Sequence, residues 1–256
     1  MKFFFLGLFL FLNPYLHADT FPLRVGMELS YPPFEMIDTQ GKPAGVSVDI
    51  AHALGKYLNR EVLIENISYI GLIPALKDGK IDLIISSMTI TEARKKSISF
   101  SEPYAVTGLC LLVNINSAVN NIEDANQTGK IIVVKSGTSG EVYAAKHLTK
   151  ATVRVLDKES MCVLEVIQAK ADAFIYDQLS VFTHWQKNLK TTRAILTPFQ
   201  KEYWGIGMHK GHLKLLEEVN CFINKFREEG GFDKLAEIFL PEQKKALQKL
   251  GIPFIF

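Results

Sequence analysis

Short runs of apolar and β-branched residues alternate along the chain with segments in which apolar residues recur at helical spacing. The runs predict strands at residues 23–27, 62–66, 81–85, 109–113, 131–134, 153–156 and 173–176. The helical spacing predicts helices at residues 47–58, 71–77, 141–148, 160–170, 179–189, 213–228 and 232–239. Because strands and helices alternate, we expect an α/β fold with largely parallel sheets.

One short pattern occurs twice in the chain. Residues 79–86 and 169–176 both read as a helix end, then Lys-x-Asp, then a buried strand, although helix-to-strand punctuation alone also produces this pattern. The repeat predicts two lobes of similar build and places Asp177 where Ser87 lies in the first copy. Since ligands bind beyond the carboxyl ends of strands in open α/β sheets, we expect both positions to border a crevice between the lobes.

The first residues predict export. Lys2 precedes an apolar run that ends near residue 12, which is too short to span a bilayer comfortably. Ala18 is the predicted cleavage point, so that residues 1–18 form a signal peptide and Asp19 begins the mature chain. Because no cysteine follows the run and no later stretch is long and apolar enough to cross a membrane, we expect a soluble, exported protein without a lipid anchor.

Composition and charge restrict the partners. With 48% hydrophobic and 22% charged residues, the chain has the composition of a globular protein. The formal net charge is +2, and removal of Lys2 with the signal peptide lowers it by one, so no nucleic acid is expected as a partner. The cysteines Cys110, Cys162 and Cys221 lie far apart without metal-ligand spacing. They are predicted to be buried apolar residues, and whether two of them form a disulfide is left undecided. Neither a metal nor a cofactor is expected.

The most informative segment is residues 86–104, because hydroxyls and one arginine gather where a buried strand ends. Ser86, Ser87 and Thr89 follow the strand, Thr91 is placed to cap the next helix, and Arg94 falls in the first turn of that helix. An arginine fork with hydroxyl and helix-end N–H donors suits a carboxylate. The alternative is a solvated Arg-Lys-Lys face that follows an ordinary helix cap.

Five segments, in this order and spacing, resemble the periplasmic polar amino-acid binding proteins. They are residues 23–26 with 31–35, 71–76 with 79–82, 86–104, 137–140 and 171–177. That family, the extracellular solute-binding proteins of family 3, includes the histidine, lysine/arginine/ornithine and glutamine receptors of ABC importers.

Two departures from the family pattern stand out. Where the family usually has Gly-Phe-Asp-x-Asp, this chain has Gly-Val-Ser-Val-Asp at residues 45–49. In the loop after the third strand, many family members have a glycine where this chain has Ser87, a variant that resembles the basic amino-acid receptors.

The resemblance implies a two-lobed periplasmic binding protein of type II, in which each lobe is a mainly parallel sheet flanked by helices. Lobe 1 is expected at residues 19–108 plus 200–256, and lobe 2 at residues 109–199. Two hinge segments, near residues 104–108 and 199–203, would let the lobes close on a ligand.

The resemblance also assigns roles to ligand-binding residues. Arg94 is expected to clamp the α-carboxylate, assisted by hydroxyls or N–H groups, and Asp177 to take the α-ammonium. Tyr31 and Tyr69 resemble the aromatic walls around a ligand side chain, although packing in the core or at the rim is the alternative for both. The residues that assist Arg94 are Ser87, Thr89, Thr138 and Ser139, and Ser86 is expected to bind the ligand as well.

Two further residues bear on ligand choice. Glu28 matches an acid that reaches the distal group of the ligand, which favours arginine, lysine, ornithine or histidine, with a surface glutamate as the alternative. Lys135 matches a ligand-proximal position of the glutamine receptor and would oppose a cationic ligand if it points inward. Ligand identity therefore stays open between basic amino acids and glutamine.

These observations predict a periplasmic, monomeric receptor that passes a free amino acid to the membrane permease of an ABC importer. It is not expected to be an enzyme, because no nucleophile, metal or phosphate-loop arrangement is visible. The alternatives are an exported enzyme similar to a cyclohexadienyl (arogenate/prephenate) dehydratase and, third, a sensory ectodomain.

Overall fold

Two five-stranded sheets organise the part of the chain that the computed structural model describes, residues 21–256. Each sheet is the centre of one lobe. The predicted signal peptide and its cleavage site lie outside the described residues.

Lobe 1 is formed by the beginning and the end of the described chain. Its first part contains β1 Leu23–Met27, β2 Ser30–Tyr31, β3 Glu35–Ile37, β4 Pro43–Ala44, α1 Val46–Leu58, β5 Val62–Asn66, a 3-10 turn Tyr69–Gly71, α2 Leu72–Lys77, β6 Leu83–Ile84, α3 Glu92–Lys95 and β7 Ser99–Phe100. The second sheet and the helices around it comprise β8 Ala105–Asn114, α4 Ile122–Ala125, β9 Ile131–Lys135, α5 Ser139–His147, β10 Thr152–Leu156, α6 Glu159–Ile167, β11 Ala173–Asp177, α7 Gln178–Lys187 and β12 Thr192–Trp204. The chain then returns to lobe 1 with β13 Gly207–Met208, α8 Leu213–Glu228, α9 Gly231–Phe239 and α10 Pro241–Lys249.

The two sheets have equivalent topology. The strand order is β5-β1-β6-β13-β7 in the first sheet and β10-β9-β11-β8-β12 in the second. In each sheet the first three strands of this order are parallel, the fourth is antiparallel to both of its neighbours, and the fifth again runs with the first three. Four of the five strands therefore run in one direction. The predicted α/β fold with mainly parallel sheets is therefore confirmed. Strands β2, β3 and β4 form a small separate sheet.

Burial follows the predicted patterns because helices cover the sheets. Helix α1 turns Val46, Ile50, Ala51 and Leu54 inward, at the spacing of one helix face, where they join the core around β1. Strand β8 is buried along almost its whole length, since it lies between β11 and β12 and helices pack against it.

Strand β12 is the main element that the hydrophobic pattern did not predict. It is an edge strand that pairs antiparallel with β8 and, at its last residue Trp204, is bridged to Thr89. A register shift between Ile195 and Gln200 interrupts the pairing with β8 around Pro198. Strands β8 and β12 run through both predicted lobe boundaries and are the two connections between the lobes. The positions of these boundaries stay predictions.

Other differences are smaller. The predicted strand at residues 81–85 has only Leu83–Ile84 in ladder pairing, and α10 was not predicted. Cys110, Cys162 and Cys221 form no disulfide. The first two are buried as predicted, whereas the prediction for Cys221 is wrong: it is exposed, because it lies outside the buried face of α8. Between residues 21 and 256 there is neither a helix of the length and apolarity needed to span a bilayer nor a cluster of metal-ligating side chains.

Candidate functional site

A cleft between the two lobes collects the residues that the sequence singled out. Side chains from both lobes line a cavity of about 30 Å³ in this cleft. Ten of the eleven predicted side chains line this cavity: Glu28, Tyr31, Tyr69, Ser86, Ser87, Thr89, Lys135, Thr138, Ser139 and Asp177.

Arg94, the eleventh, lies beside the cavity and bridges the lobes. Its two terminal nitrogens donate to the backbone carbonyl of Thr89 in lobe 1, at 2.6 Å, and to that of Gly137 in lobe 2, at 2.9 Å. Its guanidinium carbon is 5.6 Å from the centroid of the Tyr69 ring, within cation–π range. The helix start was predicted correctly, because Thr91 caps α3 by accepting from the Arg94 N–H.

The hydroxyls of the cleft donate to groups of the protein itself. Ser86 and Ser87 donate to Glu35, at 3.3 and 3.2 Å, and Thr138 donates to the Lys135 carbonyl at 2.7 Å. The hydroxyls of Thr89 and Ser139 both donate to Glu202.

The start of α5 offers the cleft another kind of donor. The first N–H groups of an α-helix have no partner within the helix, and Ser139 and Gly140, the first two residues of α5, line the cavity.

Glu35 is a buried acid that the sequence analysis counted only as part of a motif. Its carboxyl group is bonded to Ser47 at 2.6 Å as well as to Ser86 and Ser87. Burial raises the pKa of Glu35 to about 8 against the opposing effect of these serines, so that the acid is largely neutral at pH 7.

Ser87 holds an unusual backbone conformation, with φ of 48°, which glycine adopts without strain. Serine at this position supplies the hydroxyl that donates to the Glu35 carboxyl group.

Asp177 ends β11 and caps α7. Its Oδ1 accepts from the N–H groups of Leu179 and Ser180, at 3.1 and 3.0 Å, and its Oδ2 accepts from the hydroxyl of Tyr31, at 2.7 Å. Burial raises the pKa of Asp177 to about 6, while these hydrogen bonds favour the charged form. The carboxylate retains capacity to accept another donor.

Glu28 and Lys135 form an ion pair across the cleft. The Lys135 side chain is 2% exposed, so it points inward, and its ammonium lies 5.3 Å from the centroid of the Tyr69 ring. The other oxygen of Glu28 accepts from the Tyr69 N–H at 3.3 Å. The charges at this end of the cleft therefore neutralise one another.

Tyr31 is packed as well as bonded. Its ring stacks on Phe34 with centroids 5.3 Å apart and meets the edges of Tyr176 and Trp204 at 5.9 and 6.3 Å. Tyr31 thus belongs to the lobe 1 core and lines the cavity at the same time.

Sequence reasoning missed several residues of the cavity wall. Tyr176 directly precedes the predicted Asp177, and Glu202 lies in the predicted hinge segment at residues 199–203, so position alone could have drawn attention to both. The missed residues are Glu35, Leu109, Gly140, Tyr176, Glu202 and Trp204.

Comparison with known proteins agrees with this architecture. The L-cystine-binding protein TcyJ of Escherichia coli (strain K12) is 29% identical over 217 residues, which cover 84% of this chain and 81% of that protein. A putative binding component of an ABC transporter from Wolinella succinogenes, complexed with lysine, superposes with a TM-score of 0.81 at 34% identity and covers 87% of this chain and 97% of the other.

A third relative is a binding protein that is described as the precursor of an enzyme. The ancestral amino acid-binding protein AncCDT-1, described as a precursor of cyclohexadienyl dehydratase, has a TM-score of 0.78 at 34% identity and covers 85% of this chain and 95% of its own. The sequence profile of one family matches residues 23–242, nearly the whole described chain. The protein belongs to the bacterial extracellular solute-binding proteins, family 3.

Proposed function

We propose that this protein captures a free L-amino acid between its lobes and delivers it to the membrane permease of an ABC importer. The observation that carries the proposal is the cavity between the lobes, which Asp177 of lobe 2 lines and beside which the Arg94 guanidinium of lobe 1 donates to the Gly137 carbonyl. A free amino acid presents a carboxylate and an ammonium on neighbouring atoms, and burial of both charges requires a partner for each.

The α-carboxylate is assigned to Arg94 and to the N–H groups of Ser139 and Gly140 at the start of α5. A guanidinium and a helix N-terminus both favour an anion. The α-ammonium is assigned to Asp177, which keeps an acceptor site beside the Tyr31 hydroxyl.

We assign the side chain of the ligand to Glu28 and Lys135. A lone cation there would face the Lys135 ammonium, whereas a carboxamide can donate to Glu28 and accept from Lys135. Among the candidates, the pairing therefore supports glutamine over lysine, arginine, ornithine or histidine. Cystine, the ligand named for the E. coli relative, also carries both a donor and an acceptor group at its far end.

Closure of the lobes supplies the coupling to transport. Strands β8 and β12 connect the lobes, so bending within them opens the cleft. Because a ligand held by residues of both lobes binds the closed form more tightly, it shifts the protein toward that form, which the permease is proposed to recognise. We place this monomeric receptor in the periplasm, in keeping with its family.

A thermal-shift screen tests the proposal. The mature protein is heated with each of the twenty amino acids, ornithine, citrulline and cystine, because a ligand that binds the folded state raises the melting temperature. A shift for L-glutamine or for another L-amino acid is the expected result, and Glu237→Gln, an exposed change, is the control. The absence of any shift would overturn the proposal.

An exported dehydratase on the same scaffold is the second candidate. The likeness to AncCDT-1 and the neutral Glu35 in the cavity wall favour it, since a neutral carboxyl group can act as a general acid. Against it, Glu35 is 1% exposed and surrounded by serines. Incubation with prephenate or arogenate followed by chromatography separates the two: an aromatic product supports the enzyme, and unchanged substrate supports the receptor.

A further inference from the structure

Glu202 is a buried acid that joins the two lobes on the hinge strand β12. Its side chain is 4% exposed and lines the cavity. One oxygen, Oε2, receives the hydroxyl of Thr89 from lobe 1 at 3.0 Å and the hydroxyl of Ser139 from lobe 2 at 2.9 Å. The other oxygen receives the side-chain amide of Gln200 at 2.8 Å.

The direction of these hydrogen bonds follows from the chemistry of the groups. At both contacts the hydroxyl donates and the carboxyl oxygen Oε2 accepts. A hydroxyl has one proton, and once that proton points at Glu202 the oxygen has only lone pairs to offer the cleft. Thr89 and Ser139 are then unable to donate to a ligand carboxylate, and they can accept from a ligand N–H group.

We propose that Glu202 is a positioning residue that turns the Thr89 and Ser139 hydroxyls into acceptors for the α-ammonium of the ligand. This assignment rests on the proposed capture of an amino acid and deepens it. It gives the clamp a fixed polarity, in which Asp177 and the two hydroxyls face the ammonium. The carboxylate is left to Arg94 and the N–H groups of α5.

Dependence on the α-ammonium of the ligand distinguishes this role of Glu202 from a merely structural one. In Glu202→Gln, the side-chain amide can donate to the hydroxyls, which frees their protons to face the cleft. The loss should then be confined to ligands that carry an α-ammonium. A structural defect would weaken all ligands alike.

The experiment compares two probe pairs, each an amino acid and the same molecule without its α-amino group. They are L-glutamine with 4-carbamoylbutanoate, and L-lysine with 6-aminohexanoate. Dissociation constants are measured for wild type, Glu202→Gln, Thr89→Val and the double variant, with the exposed Glu61→Gln as the control.

We expect Glu202→Gln to weaken the amino acid about tenfold and the deaminated partner less than about twofold, in line with the loss of one charge-assisted contact. The double variant should add a smaller selective loss to that of Thr89→Val than Glu202→Gln causes alone, because only the Ser139 hydroxyl then remains for Glu202 to orient. Equal losses for both members of a pair, or no loss for the amino acid, would overturn the role of Glu202 and leave amino-acid capture standing. If wild type binds no free L-amino acid, both the capture and this role fall.

Discussion

Tyr31 donates its hydroxyl to Asp177 at 2.7 Å, although 146 positions separate the two residues in sequence. Tyr31 belongs to lobe 1 and Asp177 to lobe 2, so the bond closes the cleft at the acid that we assign to the ligand ammonium. A buried phenol that donates to a carboxylate favours its charged form, the form that an ammonium needs.

The first prediction follows from the protonation of Asp177. Its pKa is raised to about 6, so the affinity for the amino acid should reach its maximum above that pH. Well below pH about 6 the affinity should decrease by up to about tenfold for each pH unit. Tyr31→Phe removes a hydrogen bond that lowers this pKa, so the midpoint should move upward. Calorimetric titrations between pH about 5 and about 8 measure the midpoint, and a downward shift would contradict the assignment.

The second prediction concerns stability and Glu35. The pKa of Glu35 is about 8 in the folded protein and near 4.5 in the unfolded chain, so the folded protein retains a proton that the unfolded chain has released. The stabilising effect is complete below pH about 4.5 and is lost as the pH rises through about 8. The free energy of unfolding should fall over this range by at most roughly 1.4 kcal/mol per pH unit.

Urea unfolding at several pH values tests this slope in wild type and in Glu35→Gln, where the slope should flatten. Glu237→Gln, on the surface, should keep the wild-type slope. Identical slopes in wild type and Glu35→Gln would show that another group carries the dependence.

The third prediction concerns ligand choice at the Glu28 and Lys135 pair. Lys135→Met removes the ammonium that opposes a cationic ligand and leaves Glu28 to attract one. Affinity for lysine and arginine should rise relative to glutamine by about tenfold, and Glu28→Gln should lower it by a similar factor. Thermal shifts with the three amino acids rank the variants, and an unchanged ranking in both would remove the pair from the specificity role.

The fourth prediction concerns Arg94. Arg94→Ala should weaken every free amino acid by at least about 100-fold, because the carboxylate loses its charged partner in a buried site. Arg94→Lys should recover only part of the affinity, since lysine lacks the planar fork. Arg154→Ala, which disrupts a surface pair with Glu165, is the matched control. Retained affinity in Arg94→Ala would contradict the clamp.

Much of the site could be predicted because its residues stand at the ends of strands. Ser87, Thr89 and Asp177 follow short buried runs, and parallel strands bring their carboxyl ends to one edge of the sheet. Thr91 and Arg94 obey local helix-capping rules. The two lobes and their mainly parallel sheets could be predicted from the alternation of helices and strands together with the family resemblance.

The rest depends on tertiary contacts that leave no local signal. The partners of the hydroxyls are Glu35 and Glu202, which lie as many as 113 positions away in sequence from the groups that they bind. Strand β12 was missed because it pairs on one side only and contains Pro198 and a register shift, so it lacks the regular alternation of a strand.

The most direct test of the central claim is a calorimetric titration of the mature protein with L-glutamine, arginine, lysine and cystine in turn. We expect one of these L-amino acids to bind with a stoichiometry of one per chain and to be recovered unchanged by chromatography. Absence of binding heat with all four, together with a flat thermal-shift screen, would contradict it, as would recovery of a converted product.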